Sequence, residues 1–197
     1  CYEIGTEQAI HEYSYSQLDY FLTQIKNELP QSVWNQVKYA VIQAGTRISG
    51  TKNMGVFDVE RCKNMVNVCH KHGLLSKEHN GDYLSNEAVS LRFNSGLDAI
   101  NIAPEFGVLE TNTILNHLSE EQIDKFYKTC YESNKWVKWV PDDFNPHENK
   151  RAIVSICGHY VFNTPTVKEL KSQIPNIETT IKQNIKNKIT SLLRLTA

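Results

Sequence analysis

The 197-residue chain has 40% hydrophobic and 22% charged residues and a formal net charge of −1, the balance of a globular chain with enough apolar material for a real core. Nine Gly, six Pro and no low-complexity run exclude collagen-like, mucin-like and strongly disordered classes. Near-neutral charge argues against a dedicated nucleic-acid binder, and no stretch approaches the roughly 18 continuous apolar residues of a membrane span.

The opening CYEIGTEQAI reads as the end of a strand. It lacks the basic region and apolar run of a signal peptide and does not begin with Met, so a piece of a longer cytoplasmic protein is expected. The cysteines, Cys1, Cys62, Cys69, Cys130 and Cys157, are odd in number and have no CxxC spacing. That pattern favours reduced thiols over a disulfide framework.

Along the chain, Leu18, Phe21, Leu22, Ile25 and Leu29 repeat at helical spacing after Ser16, and Pro30 closes the segment. The apolar run KYAVIQAG follows, then Asp58 caps a helix through Val59, Cys62, Met65, Val66 and Cys69 that Gly73 ends. LLSKEHNGDY is a second apolar run. Ser85 opens a short helix through Ala88, Leu91 and Arg92 to Gly96, and LDAINIAPEFG reads as a buried strand broken by Pro104. Ser119 with Gln122 forms a capping box before Ile123, Phe126, Tyr127 and Cys130. KWVKWV fits a short strand, and ENKRAIVSICGHYVF an amphipathic helix with Ile153, Ile156 and Tyr160 on one side. Thr164-Pro165 is a cap and first turn. Ile177, Ile181, Ile185, Ile189 and Leu192 make a closing amphipathic helix whose Lys182, Lys186, Lys188 and Arg194 read as a solvated face rather than a phosphate contact.

Strands alternating with helices form βαβ units and a parallel sheet. Polar clusters sit where each strand run ends: Gly5-Thr6-Glu7, Gly45-Thr46-Arg47, Glu78-His79-Asn80-Gly81-Asp82 and Pro104-Glu105. In a (β/α)8 barrel those ends form the catalytic face, although a doubly wound sheet gives similar spacing. Only about four β/α units are visible, while a closed barrel takes about 250 residues. The expected architecture is α/β, a half barrel of the TIM type followed by C-terminal helices. Such a half leaves strand edges and one sheet face uncovered, to be completed by a preceding half or a second chain.

Five segments, IGTE (4–7), AVIQAGT (40–46), KEHNGDYL (77–84), INIAPEFG (100–107) and NKWVKWVPDD (134–143), occur in the order of the GatZ/KbaZ-like family, and the chain resembles the C-terminal half of its members. That family is the non-catalytic subunit of class II D-tagatose-1,6-bisphosphate aldolase. The resemblance implies a half barrel over 1–143, a helical segment over 144–197 packed on it, and a cytoplasmic role in carbohydrate metabolism with a sugar-phosphate ligand. It also implies a catalytic aldolase subunit, or self-association, as partner. A more distant similarity to the catalytic class II aldolases matches His79-Asn80-Gly81, the helix after Ser85, and Asn101-Ile102-Ala103. By it His79 corresponds to a zinc-ligand histidine, Gly81 lies in the phosphate-binding turn and Asn101 takes a substrate-contacting position. Two departures stand out. A catalytic zinc site needs about three protein ligands and no other His ends a strand; and Ala103-Pro104 replaces the Asp-Thr that follows the Asn in those enzymes.

Each candidate has two readings. His79 is a metal ligand, with Glu78 and Asp82 as acid–base or outer partners, or a rim histidine bonded to structural carboxylates. Glu7 and Glu105 are paired carboxylates near one mouth, or salt-bridge partners. Arg47, with Lys52, holds a phosphate, or both are solvated. His159, and the group Cys69, His70 and His72, read as structural before they read as ligands. Trp136 and Trp139, interleaved with Lys135 and Lys138, stack a sugar ring or form a half-buried flank. Three functions remain: an accessory aldolase subunit, a metal-dependent aldolase of a ketose bisphosphate using Zn²⁺ as Lewis acid, or a non-enzymatic sugar-phosphate-binding barrel.

Overall fold

A computed structural model describes residues 1–5 and 12–195. Its elements in chain order are β1 (Tyr2–Gly5), α1 (Tyr15–Glu28), α2 (Gln31–Trp34), β2 (Val37–Ile42), β3 (Ile48–Ser49), β4 (Lys52–Asn53), α3 (Val59–Lys71), β5 (Leu75–Glu78), α4 (Asn86–Asn94), β6 (Ala99–Ile100), α5 (Pro104–Leu115), α6 (Glu120–Glu132), α7 (Lys150–Cys157), α8 (Pro165–Ser172) and α9 (Ile177–Arg194). Among the described residues, 1–5, 12–48, 53–102 and Leu195 form one compact unit, and residues 49–52 with 103–194 another. Among the described residues no helix is long and apolar enough to cross a membrane.

The first unit is built on a four-stranded sheet in the order β1-β2-β5-β6, every pairing parallel. Strand order follows chain order, so there is none of the reversal that marks a doubly wound sheet. The register aligns Glu3 with Tyr39 and Leu75, and Val41 with Lys77 and Ala99; Ile4 aligns with Ala40 and Ser76, and Ile42 with Glu78 and Ile100. Side chains two apart share a face, so Ile4, Ala40, Ile42 and Ile100 point together. They pack with Leu18 and Leu22 of α1 and Cys62, Met65 and Cys69 of α3 into one core. The opposite face carries Glu3, Tyr39, Val41 and Lys77. This is a mixed α/β architecture consistent with part of a TIM-barrel-like fold.

The caps follow the sequence closely. Asp58 accepts from the Arg61 N–H and Ser85 from the Ala88 N–H, satisfying backbone donors that a helix start leaves without partners. Ser119 and Gln122 make the expected reciprocal box. The first helix is capped two residues earlier than read, by Ser14 with Gln17, a second capping box. Gly73 and Gly96 end their helices at φ +75° and +95°, which costs a residue without Cβ little.

Three readings are corrected. LDAINIAPEFG is not a long strand broken at Pro104: β6 holds only Ala99–Ile100, and Pro104 opens α5, where a missing N–H and a fixed φ suit the first turn. KWVKWV is a 3₁₀ turn over Val137–Trp139. His159 and Tyr160 lie in a second 3₁₀ turn after α7 rather than on it.

The second unit has its own core. Ile114 of α5, Phe126 and Cys130 of α6, Ile153 and Val154 of α7, Val167 of α8 and Ile177 and Ile181 of α9 pack into a single cluster. The structure thus groups α5 and α6 with the C-terminal helices, whereas the sequence reading counts them within 1–143.

Candidate functional site

The carboxyl ends of β2, β5 and β6 are laced together by short polar bonds. The Asn101 N–H donates to Glu78 O (2.8 Å) and the Gly81 N–H to Asn101 O (3.0 Å). The Thr46 hydroxyl donates to His79 O at 2.7 Å. Asn53 ties the loops after β2 and β5: its amide donates to Asn80 O (2.8 Å) and Asp82 O (3.0 Å), and its Oδ1 accepts from Arg47 N and Gly55 N, both at 3.2 Å. Between these ties Asn80 and Tyr83 sit at φ +57° and +61°, a conformation that costs energy for residues with a Cβ and is held only by such surroundings.

Glu78, at the end of β5, is on the helix-packed face. It is fully buried, and its Oε2 accepts from Arg92 Nε of α4 at 2.6 Å, with Arg92 itself 2% exposed. The guanidinium lies 4.3 Å from the Phe57 ring and donates to Ala88 O. Burial pushes the Glu78 carboxyl above the usual carboxylate range, with Arg92 and then Thr46 opposing. Its Oε1 has no hydrogen-bond partner among the described residues.

His79 takes the other face. Its Nε2 is 3.0 Å from Glu3 Oε1, and Lys77 Nζ is 2.5 Å from Glu3 Oε2. The side chains of Glu3, Lys77 and His79 are 37%, 21% and 34% exposed, and the Lys77 ammonium lies 5.7 Å from the Tyr39 ring centre. The Lys77 hydrogen bond, and more weakly His79, hold the Glu3 carboxyl below its ordinary range against the effect of burial. An ionised carboxylate only accepts, so His79 Nε2 carries the hydrogen of this bond. His79 is thus bonded to a carboxylate through Nε2.

The remaining candidates are scattered in role. Asp82 is buried, and its carbonyl accepts from Asn53. Gly81 has its N–H committed to Asn101, and a Cβ there would stand 2.0 Å from Ile100 Cγ2; close packing, rather than an open N–H for phosphate, requires the glycine. The Asn101 side chain is exposed while both its main-chain groups are bonded. Arg47 is exposed, and Lys52 groups with the other unit. Glu105 does not end a strand; it lies in the first turn of α5, 2.5 Å from Lys188 of α9. Glu7 lies outside the described residues.

A catalytic zinc ion takes about three protein ligands. Among the described residues no group of three His, Cys, Asp or Glu is placed to hold one, and Lys77 already sits on the second oxygen of Glu3, so these residues do not complete a zinc site. The other metal-like groups are bonded or buried within the protein. His70 bonds Asp98 at 2.8 Å and His72 bonds Asp19 at 2.6 Å, while burial pushes the Cys69 thiol up to about 12. His159 packs its ring against Gly107, and burial holds it below the usual imidazole range. Trp136 stacks on Tyr131 at 5.7 Å and donates to its carbonyl, which makes it a flank of the second unit's core.

Glu3, Lys77 and Asn53 were missed in the sequence as site residues, and Thr46 was read only as part of the Gly45-Thr46-Arg47 cluster. For Lys77 a signal existed, since Leu75, Lys77 and His79 alternate with Ser76 and Glu78; for Asn53, which lies between the run ending at Gly45 and the helix capped by Asp58, there was none.

No protein-family model matches the chain, and no curated protein matches it. Among solved structures it is similar to a probable tagatose 6 phosphate kinase from Sinorhizobium meliloti 1021, at 18% identity and a TM-score of 0.66 over 99% of this chain and 56% of that one. It is also similar to the fructuronate-tagaturonate epimerase UxaE from Cohnella laeviribosi, at 11% identity over 98% of this chain and 45% of that one, with TM-scores of 0.72 for the glycerol complex and 0.71 for the native crystal. The chain spans about half the length of these proteins. At such identities the likeness is one of fold.

Proposed function

We propose that this chain is a subunit of ketose-bisphosphate metabolism related to the non-catalytic subunit of tagatose-bisphosphate aldolase, and that it acts by stabilising a catalytic aldolase partner. The observation that carries this is the state of the acidic and basic groups at the strand ends: Glu78 is buried on Arg92, and His79 and Lys77 are both engaged by Glu3. Such pairing makes a rigid rim and leaves the expected acid–base carboxylate without access to a reacting atom. The segment order of the sequence and the fold shared with proteins named for tagatose 6-phosphate and for tagaturonate support a sugar phosphate as ligand at the strand ends.

The test is co-expression with a class II aldolase from the same genome. The expected result is co-purification, a higher melting temperature of the partner, and no cleavage of D-tagatose 1,6-bisphosphate by this chain alone. An unchanged partner and no complex overturn the proposal. Cleavage by the chain itself would establish the second reading, a metal-dependent aldolase. One feature favours that alternative: imidazoles that bind metal commonly donate their other N–H to a carboxylate, as His79 does to Glu3. Its remaining ligands would lie beyond the described residues.

A further inference from the structure

We propose that Glu3, Lys77 and Tyr39, together with His79, form a subsite for the hydroxyl-bearing carbon chain of a sugar, on the sheet face that the helices of the first unit leave outside their core. The inference deepens the proposed function by naming which part of the ligand is read and by which residues, and it rests on that reading only for the ligand being a sugar.

Four observations converge. The register of β1, β2 and β5 puts Glu3, Tyr39 and Lys77 on one face, with His79 two residues beyond Lys77. All three polar side chains keep between a fifth and two fifths of their surface exposed, so a solute reaches them. The Glu3 carboxylate is fixed by two donors, one on each oxygen, and each oxygen retains a further lone pair. Lys77 spends one of its three N–H donors on Glu3 and has others to give.

An adjacent carboxylate and ammonium suit a run of hydroxyls. Each hydroxyl donates its hydrogen to the carboxylate and accepts one from the ammonium, while the Tyr39 ring offers an apolar surface to the C–H side of the chain. Because Glu3 and Lys77 neutralise one another, the pair does not select for an anion; a phosphate gains little from an ammonium already bound to a carboxylate. Recognition of the phosphoryl end of the ligand falls to other residues, so the neutral sugar is the diagnostic probe.

The experiment is calorimetric titration of the intact 197-residue chain, in EDTA-containing buffer, with D-tagatose, D-tagatose 6-phosphate and inorganic phosphate. Both sugars are expected to bind and phosphate not to displace D-tagatose. Glu3→Gln and Lys77→Met are expected to weaken D-tagatose binding at least about tenfold, while Lys128→Ala, at an exposed position of α6, leaves it unchanged. Absence of D-tagatose binding, retention of affinity in both variants, or displacement by inorganic phosphate overturns the proposal. If either variant fails to fold by circular dichroism, the wild-type amide spectrum decides. Shifts of Glu3, Tyr39, Lys77 and His79 on adding D-tagatose sustain the subsite, and shifts confined elsewhere refute it. No aldolase is present in this assay, so its failure is separate from failure of the partner-stabilisation test.

Discussion

Replacing Arg92 by Met removes the cation bonded to Glu78, a carboxylate that is fully buried. Deleting one member of a buried pair leaves the other charge in a poorly solvating interior, at a cost of about 3–5 kcal/mol, which is roughly two to four powers of ten in the folding equilibrium. The lost contact of the guanidinium with the Phe57 ring, 4.3 Å away, acts in the same direction. Urea unfolding followed by circular dichroism measures this directly. The pH dependence has a fixed sign. Burial raises the folded-state pKa of Glu78, and in Arg92→Met the opposing guanidinium is gone. For a raised carboxyl the contribution to stability is fully present below the unfolded value of about 4.3 and is lost as pH rises through the folded value. The deficit of the variant is therefore large at pH 7 and shrinks on acidification. The double variant Glu78→Leu/Arg92→Met, which puts apolar groups in both places, should recover most of the loss, since a buried pair replaced whole is often near neutral. A cost under about 1 kcal/mol for the single variant, or a double variant no better than the single, would refute the reasoning.

Asn53→Ala removes two hydrogen bonds between the loops after β2 and β5 and two within its own loop; a loss of about 1–3 kcal/mol is expected, with faster amide exchange at Arg47 and Gly55. Gly81→Ala drives a Cβ to 2.0 Å from Ile100 Cγ2 and should cost about 1–3 kcal/mol, read as a lower urea midpoint. Burial disfavours the charged form of Asp98, but the Ser76 side chain and N–H and His70 outweigh it and hold the carboxyl below its ordinary range. Its stabilisation is present above the unfolded pKa and lost as pH falls through the folded one, so Asp98→Asn should flatten the acid limb below about pH 4. A thiol reagent should label Cys1 alone in the native chain and all five cysteines in urea. Cys62, Cys69, Cys130 and Cys157 are buried, and burial pushes Cys62 to about 11 and Cys69 to about 12; rapid native labelling of a second thiol would contradict the packing.

Helices were legible wherever an apolar stripe met a capping residue, as at Asp58, Ser85 and Ser119, because both signals are local. The parallel sheet was legible from the spacing of its apolar runs. The lengths of individual strands were not: β6 is two residues long because its backbone bonds are shared with the loop after β5 through Asn101, a tertiary arrangement. The position of His79 was legible and its partner was not. His79 stands at the expected strand end, yet the residue that holds it, Glu3, is 76 positions away, and no local pattern joins them. Glu78 looked like a catalytic acid because it neighbours His79; the alternation of a strand, which sends neighbours to opposite sides, gives it to α4 instead. Glu105 looked like a strand tip because the apolar run before it concealed the start of a helix.

That alternation in β5 bears on how related sequences should drift. Positions 78 and 79 are adjacent in the gene but answer to different neighbours: 78 to Arg92 beneath the sheet, 79 to Glu3 above it. Substitutions at 78 should appear together with changes at 92, and those at 79 with changes at 3, with the two pairs varying independently. A single-residue insertion within Leu75–Glu78 would exchange the two sets at a stroke, so divergence here should proceed by paired replacement and not by changes in length.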